Sequence, residues 1–192
     1  MRIFKRVFAL IVLTTQATLA WAHGYLAMPE ARNLQRRDEY CPHCLNGAKP
    51  CGDTKYNTYE PSTCIAQSYA AGSIITAKAI FTANHKGRWA LSICNPNGKS
   101  GTISRKCFVP LYLAHDKGRF VYVRSSDTQG TAKFKLPKTL RCDRCILRWR
   151  YVTGNSCNPR GTPSQYRSPG LDVCGKWMNP EEFNNCADIR IT

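Results

Sequence analysis

Ile146-Leu147-Arg148-Trp149-Arg150-Tyr151-Val152 alternates large apolar side chains with arginines through its middle. In an extended chain successive side chains point to opposite faces, so this run has one face for a core and one for solvent. Working outward, residues 73–82 alternate apolar and polar, residues 89–94 are short and apolar, and residues 120–124 hold aromatics and valines. Residues 132–136 and 186–191 alternate again. Turn formers punctuate these runs at Asn84-His85-Lys86-Gly87, Asn95-Pro96-Asn97-Gly98, Thr153-Gly154-Asn155 and Gly161-Thr162-Pro163. The pattern predicts a mainly β protein: a single immunoglobulin-like or fibronectin-like antiparallel β-sandwich, with long disulfide-linked loops and at most short helices. Residues 23–70, rich in Pro, Gly, Asn and Cys, read as one such loop region. Chemistry is expected in the loops at one end of the sandwich.

The chain opens with Met1-Arg2-Ile3-Phe4-Lys5-Arg6, a mostly apolar run to about Leu19, and Ala20-Trp21-Ala22. A basic start, a short apolar core and small residues before the cut form a secretory signal peptide over residues 1–22. The apolar run is too short and wrongly flanked for a membrane span. The expectation is a secreted, extracellular protein whose mature chain, residues 23–192, is one domain beginning at His23.

All 11 cysteines follow that cleavage site. In an exported chain they predict a disulfide framework, and their odd number leaves one thiol unpaired within the chain. Cys41/Cys44 and Cys142/Cys145 have the spacing of a split zinc site, which export argues against because thiols reaching an oxidising compartment pair.

The net charge is +16, and loss of the leader removes Arg2, Lys5 and Arg6 with no acid, leaving +13. Such a field attracts polyanions; the plainer reading is a solvated basic surface that aids solubility.

Of the four histidines, His23 stands apart because cleavage places a free α-amine beside its own imidazole, a bidentate chelate for a transition metal. A second imidazole would complete a three-nitrogen set of the kind that suits Cu(II). His85 is the leading candidate, at a strand end where a turn begins. His43, within Cys-Pro-His-Cys, is the reserve, and His115 in a polar turn reads as exposed.

Four segments then fall into one order: His23-Gly24-Tyr25-Leu26 with Pro29 and Ala31-Arg32-Asn33; Thr82-Ala83-Asn84-His85; Cys145-Ile146-Leu147-Arg148-Trp149-Arg150-Tyr151 with Gly154-Asn155; and Glu181-Glu182-Phe183-Asn184-Asn185-Cys186-Ala187-Asp188-Ile189. That order resembles the lytic polysaccharide monooxygenases of the chitin-binding type-4 superfamily, especially those of insects and other eukaryotes or the oomycete pectin-active branch. The resemblance implies a histidine brace in which His23 gives its amine and ring nitrogen to copper and His85 the third nitrogen. It implies that Ala83 packs over one axial side of the metal, Phe183 over the other, and that Glu181 hydrogen-bonds oxygen species. It further implies oxidative cleavage of glycosidic bonds at C1 or C4, using a small-molecule or protein electron donor and dioxygen or hydrogen peroxide, by a monomer without nucleic-acid or membrane partners.

Relatives of this kind act on chitin, cellulose or pectin. A +13 domain favours an acidic polymer such as homogalacturonan, whose carboxylates would meet Lys86, Arg88 or Lys176, over neutral chitin and then cellulose. Residues 156–160, Ser-Cys-Asn-Pro-Arg, stand where many relatives keep an aromatic and a glycine, which implies a remodelled substrate face. Two rival readings are a non-catalytic polysaccharide-binding module of the same fold and a basic, disulfide-rich effector protein.

Overall fold

The protein is described by a computed structural model covering residues 23–36, 49–61 and 63–192. The leader, His43 and the Cys41/Cys44 pair lie outside the described residues. In chain order the elements are β1 (His23–Met28), α1 (Arg32–Gln35), β2 (Gln67–Tyr69), β3 (Ile74–Ala83), β4 (Arg88–Cys94), β5 (Val109–Pro110), β6 (Tyr112–Leu113), β7 (Val121–Tyr122), β8 (Gln129–Lys135), β9 (Cys142–Val152) and β10 (Glu182–Ile191). Three single-turn 3-10 segments complete the described residues. One sheet runs β1-β3-β8-β6 and the other β2-β10-β9-β4-β5, with β7 also paired to β4.

The expected sandwich is what forms, and β9 is its axis. Leu147, Trp149 and Tyr151 point inward with Trp89, Leu91 and Ile93 of β4 and Phe183, Ala187 and Ile189 of β10. They meet Ile75, Ala77, Ala79 and Phe81 of β3 and Phe134 of β8 across the interior. Fully burying side chains of this size stabilises by about 1.5–3 kcal/mol each relative to exposure. The outer face of β9 is not uniformly wet: Ile146 is covered by a second cluster of Cys51, Tyr56, Tyr59, Cys94, Ile103 and Cys186. That is why the alternation of β9 in sequence is cleaner than its burial, since loops cover one end of its polar face.

Among the described residues four disulfides join Cys51–Cys186, Cys94–Cys107, Cys142–Cys145 and Cys157–Cys174. Cys142 and Cys145 are therefore bonded to each other rather than held ready for zinc, as expected of an exported chain. Among the described cysteines Cys64 forms no disulfide and is exposed.

Several sequence-based expectations need correction. The segment 23–70 is not all loop: β1 pairs antiparallel with β3, and β2 pairs with β10. The β2 pairing is parallel, so the larger sheet is not purely antiparallel. The strand expected over residues 120–124 shrinks to two residues because Val123 already turns into the core and its N–H donates to the Gly87 carbonyl.

The strands beneath the loops are tied by one buried ion pair. Arg32, in α1, donates from Nε and Nη2 to the two carboxylate oxygens of Asp188 at 2.9 and 2.7 Å, and both side chains are 0% exposed. Arg32 Nη1 donates to the carbonyls of Tyr56 and Thr58, while Thr63 Oγ1 and Arg144 also reach Asp188 Oδ2. Removing one member strands the other without water, at a cost of about 3–5 kcal/mol. Arg32→Met is accordingly expected to lower unfolding stability by about that amount in urea titration; a loss below about 1 kcal/mol would contradict this role.

A second expectation concerns alkali. Burial pushes the Tyr69 phenol up to about 12 and raises that of Tyr151 further, the latter partly offset by a hydrogen bond from the His85 backbone. Unfolded tyrosine ionises near about 10, so above that pH the unfolded chain sheds protons that the folded chain keeps, and stability falls as pH rises. Melting temperature should drop between about pH 10 and 12, and less steeply in Tyr151→Phe. A variant with the wild-type slope would show that Tyr151 does not contribute.

Candidate active site

His23 opens β1 opposite Ala83, the last residue of β3, with a register shift between His23 and Gly24. Gly24 is needed for this approach: a Cβ there would lie 3.0 Å from the Ile80 carbonyl oxygen and 3.3 Å from Trp149. A larger residue would lift the first strand, and His23 with it, off the sandwich. Further along, Leu26 N donates to Asn185 Oδ1 at 2.9 Å inside the core, fastening β1 to β10. The His23 ring stands edge-on to Phe183, with centroids 6.1 Å apart and planes inclined at 72°.

His85 lies two residues beyond β3, in a turn held from all sides. Asn84 Nδ2 donates to the carbonyls of Arg124 and Asp127, and Asn84 Oδ1 accepts from Lys86 N at 2.6 Å. Gly154 N donates to the His85 carbonyl at 2.9 Å. Tyr151 Oη donates to the Lys86 carbonyl at 2.6 Å and accepts from His85 N at 3.4 Å. The turn then needs Lys86 and Gly87 at positive φ, 55° and 86°. A Cβ on Gly87 would fall 2.1 Å from the Val152 carbonyl oxygen, so only glycine lets β4 start against β9 here. The Tyr151 ring lies 6.1 Å from Phe183, which joins the His85 turn to the His23 ring through two aromatic contacts.

Glu181 immediately precedes β10. Its carbonyl accepts from Thr153 N at 3.0 Å, and its carboxylate Oε2 accepts from Asn155 Nδ2 at 2.6 Å. Thr153 Oγ1 donates to Asn155 Oδ1 at 2.7 Å, which fixes the amide's orientation. His23, Ala83, His85, Glu181 and Phe183 are thus gathered at one end of the sandwich, where β1 begins, β3 and β9 end and β10 begins. Their exposure is graded: Phe183 is fully buried and the other four are half-buried. His115 lies elsewhere, with its side chain 71% exposed beside Asp116, as its polar turn predicts.

The basic residues expected near the site diverge. Lys86 Nζ donates to the Arg167 carbonyl at 2.7 Å, Arg88 stacks over Phe120 at 3.9 Å, and Lys176 lies over Trp177 at 5.2 Å. Residues 156–160 form part of a loop framework pinned by Cys157–Cys174 and by Asn158, whose side chain bonds Ser168 and Leu171. Three residues escaped the sequence reading. Tyr151 was legible as core but not as the clamp on the His85 turn. Asn155 had only the Gly154-Asn155 turn as its signal. Trp177, in the segment leading to Glu181, is the only exposed indole among the described residues, at 86% exposure.

The donor set fits a metal bound through nitrogen. Among the described residues no three His, Cys, Asp or Glu side chains gather into a metal centre. The imidazoles of His23 and His85 are nitrogen donors of the kind that suits a transition metal.

The family model for lytic polysaccharide mono-oxygenases, described as cellulose-degrading, matches residues 45–189, a span that includes His85, Glu181 and Phe183. Among solved structures the chain is similar to the AA15 lytic polysaccharide monooxygenase of Thermobia domestica in its Cu(I) state, at 26% identity and a TM-score of 0.70, over 88% of this chain and 98% of that one. The cellulose-active monooxygenase CelS2 in complex with copper aligns over the same shares at 11% identity and a TM-score of 0.48. No curated protein matches the chain by sequence. The family match over most of the chain and the sandwich with its histidine-bearing end agree: the chain belongs to the lytic polysaccharide mono-oxygenases.

Proposed function

We propose that export removes residues 1–22 and leaves residues 23–192 as a secreted enzyme in which the His23 amine and ring and the His85 ring hold one copper ion. The observation that carries this reading is the pairing of the first residue of β1 with the end of the strand that delivers His85. The likeness to a Cu(I) monooxygenase supports it. No helix among the described residues is long and apolar enough to cross a membrane. Copper, when bound, supplies the one-electron chemistry that couples an electron donor and dioxygen or hydrogen peroxide to hydrogen removal at C1 or C4 of a sugar.

The chain's own residues set the conditions for that chemistry. Ala83, opposite His23 in the strand pairing, would pack over one side of the ligand set, and the buried Phe183 ring, edge-on to His23, would keep water from the other. The turn bonds from Tyr151, Asn84 and Gly154 orient His85 before any ligand arrives, so little entropy is lost on binding. Asn155 occupies Glu181 Oε2, so Oε1 is the oxygen that would share a proton with an oxygen species. The favoured substrate is an acidic polysaccharide such as homogalacturonan, supported by the +13 charge of the mature chain, with chitin and then cellulose behind it.

Electron paramagnetic resonance of the processed protein with one equivalent of Cu(II) should give a single tetragonal signal. His85→Ala, or a protein retaining residues 1–22, should not reproduce it; an unchanged signal from either would overturn the brace.

Substrate is tested by mass spectrometry of products from polygalacturonate, chitin and cellulose with copper and ascorbate. Oxidised oligogalacturonides should dominate, and binding to polygalacturonate should weaken steeply with salt because exposed charges are screened beyond about 10 Å at 0.1 M. Oxidised chitin or cellulose fragments with none from polygalacturonate would reject the acidic-polymer assignment.

A further inference from the structure

The outer face of the six-stranded sheet carries a cleft of about 300 Å³ that none of the residues assigned to copper lines. Arg105, Arg119, Arg148 and Arg150 stand around it, with Phe108, Phe120 and Pro110 as apolar walls. Its floor is β4 and β9, where Ser92 pairs with Arg148 and Ala90 with Arg150. Arg88 adjoins it, its guanidinium stacked on Phe120.

Among the described residues few acidic partners are seen for Arg119, Arg148 and Arg150. Arg150 is ion-paired with Glu182. Arg148 donates from Nε and Nη2 to the neutral Asn184 Oδ1, at 3.1 and 2.5 Å, and lies over Phe108 at 5.6 Å. Arg119 reaches toward Phe120. Among the described residues neither Arg119 nor Arg148 forms an ion pair with a carboxylate, and the buried Arg88 Nε has no hydrogen-bond partner. Arginines that merely drape their stems over a sheet keep their heads in water. Arg148 does not: burial first, then the neighbouring Arg150 and Arg105, lower its pKa to about 10 against the pull of Glu182. Burial and Arg150 and Arg119 also lower that of Arg88, while Tyr122 acts in the opposite sense. Arg148 is thus a desolvated cation beside the exposed Arg105, Arg119 and Arg150, and an anion in the cleft would relieve that crowding.

We infer that this cleft is a second carbohydrate site, which takes a carboxylate-bearing sugar unit of an acidic oligosaccharide on the sheet face, apart from the copper end. Guanidinium forks match a carboxylate in the bidentate manner. The apolar walls of Phe108, Phe120 and Pro110 suit the C–H face of a sugar ring, which an inorganic anion lacks. A volume near the lower end of the range for small-molecule sites, about 300–1,000 Å³, suits a short segment rather than a long one. Such a site would anchor an acidic chain whichever polymer is cleaved at the copper end.

The test measures binding of trigalacturonate by calorimetry to copper-free protein, so that it does not depend on the cleavage assigned above. Wild type should bind, and the exposed pair Arg105→Gln/Arg119→Gln should lose about tenfold in affinity. The equally charged change Lys133→Gln/Lys135→Gln, on the exposed face of β8, should lose little. In wild type the ligand should also slow amide hydrogen exchange in residues 105–110 and 119–122. No binding, equal losses in the two double variants, or exchange protection confined to other segments would overturn the site. Sulfate binding as tightly as trigalacturonate, or the trimethyl ester binding as tightly as the acid, would overturn the sugar-carboxylate assignment. Cleavage of polygalacturonate without this footprint would reject the cleft and leave the copper-site reading intact.

Discussion

The Arg32–Asp188 pair is the constraint on which the molecule's layout depends. An arginine and an aspartate wholly removed from water are tolerable only if every donor and acceptor is matched, and here the matches come from distant parts of the chain: Tyr56, Thr58, Thr63 and Arg144. The pair therefore gathers the segment after β1 onto β10 as a condition of its own burial. Cys51–Cys186 closes the same region two residues along β10, and the second apolar cluster fills the space between. With that segment fixed at one end and Leu26 bonded to Asn185 at the other, β1 has little freedom in where it begins. Where β1 begins is where the proposed copper site lies.

Much of the fold was legible because it rests on local alternation. Residues 146–152, 132–136 and 186–191 carry a period of two that survives in β9, β8 and β10. What escaped was set by tertiary contact. The residues of β1 form a strand because Gly24 lets them lie on Trp149 and because β3 offers an edge, neither of which a window of sequence contains. The two-residue strands β5, β6 and β7 are too short to have a period at all. At the candidate site His23 and His85 stood out through cleavage chemistry and turn position. The supporting bonds of Tyr151 and Asn155 join residues 26 to 66 positions apart and leave no mark in sequence spacing.

Glycine and positive φ concentrate the demands of the site in a few positions. Gly87 admits no side chain because the Val152 carbonyl occupies the space, and Gly154 brings its N–H to the His85 carbonyl with little room for a Cβ beside Ser168. Both lie in turns, yet they behave as core positions: their tolerance is set by packed backbone rather than by solvent. The turn bearing His85 is thus as firmly built as the sheet it leaves, which is what a ligand held without reorganisation requires.

The direction of β10 gives the molecule a polarity. The strand starts beside Glu181 and runs for 10 residues to Ile191, roughly 30 Å at the usual strand rise. There Thr192 N donates to the Tyr69 carbonyl and Ala71 N to the Thr192 carbonyl, stitching the last residue into the edge made by β2. His23 and Thr192 therefore lie at opposite ends of the sandwich. Anything joined after Thr192 would trail from the pole remote from His23, where it could tether the domain to a surface without shading the reacting face.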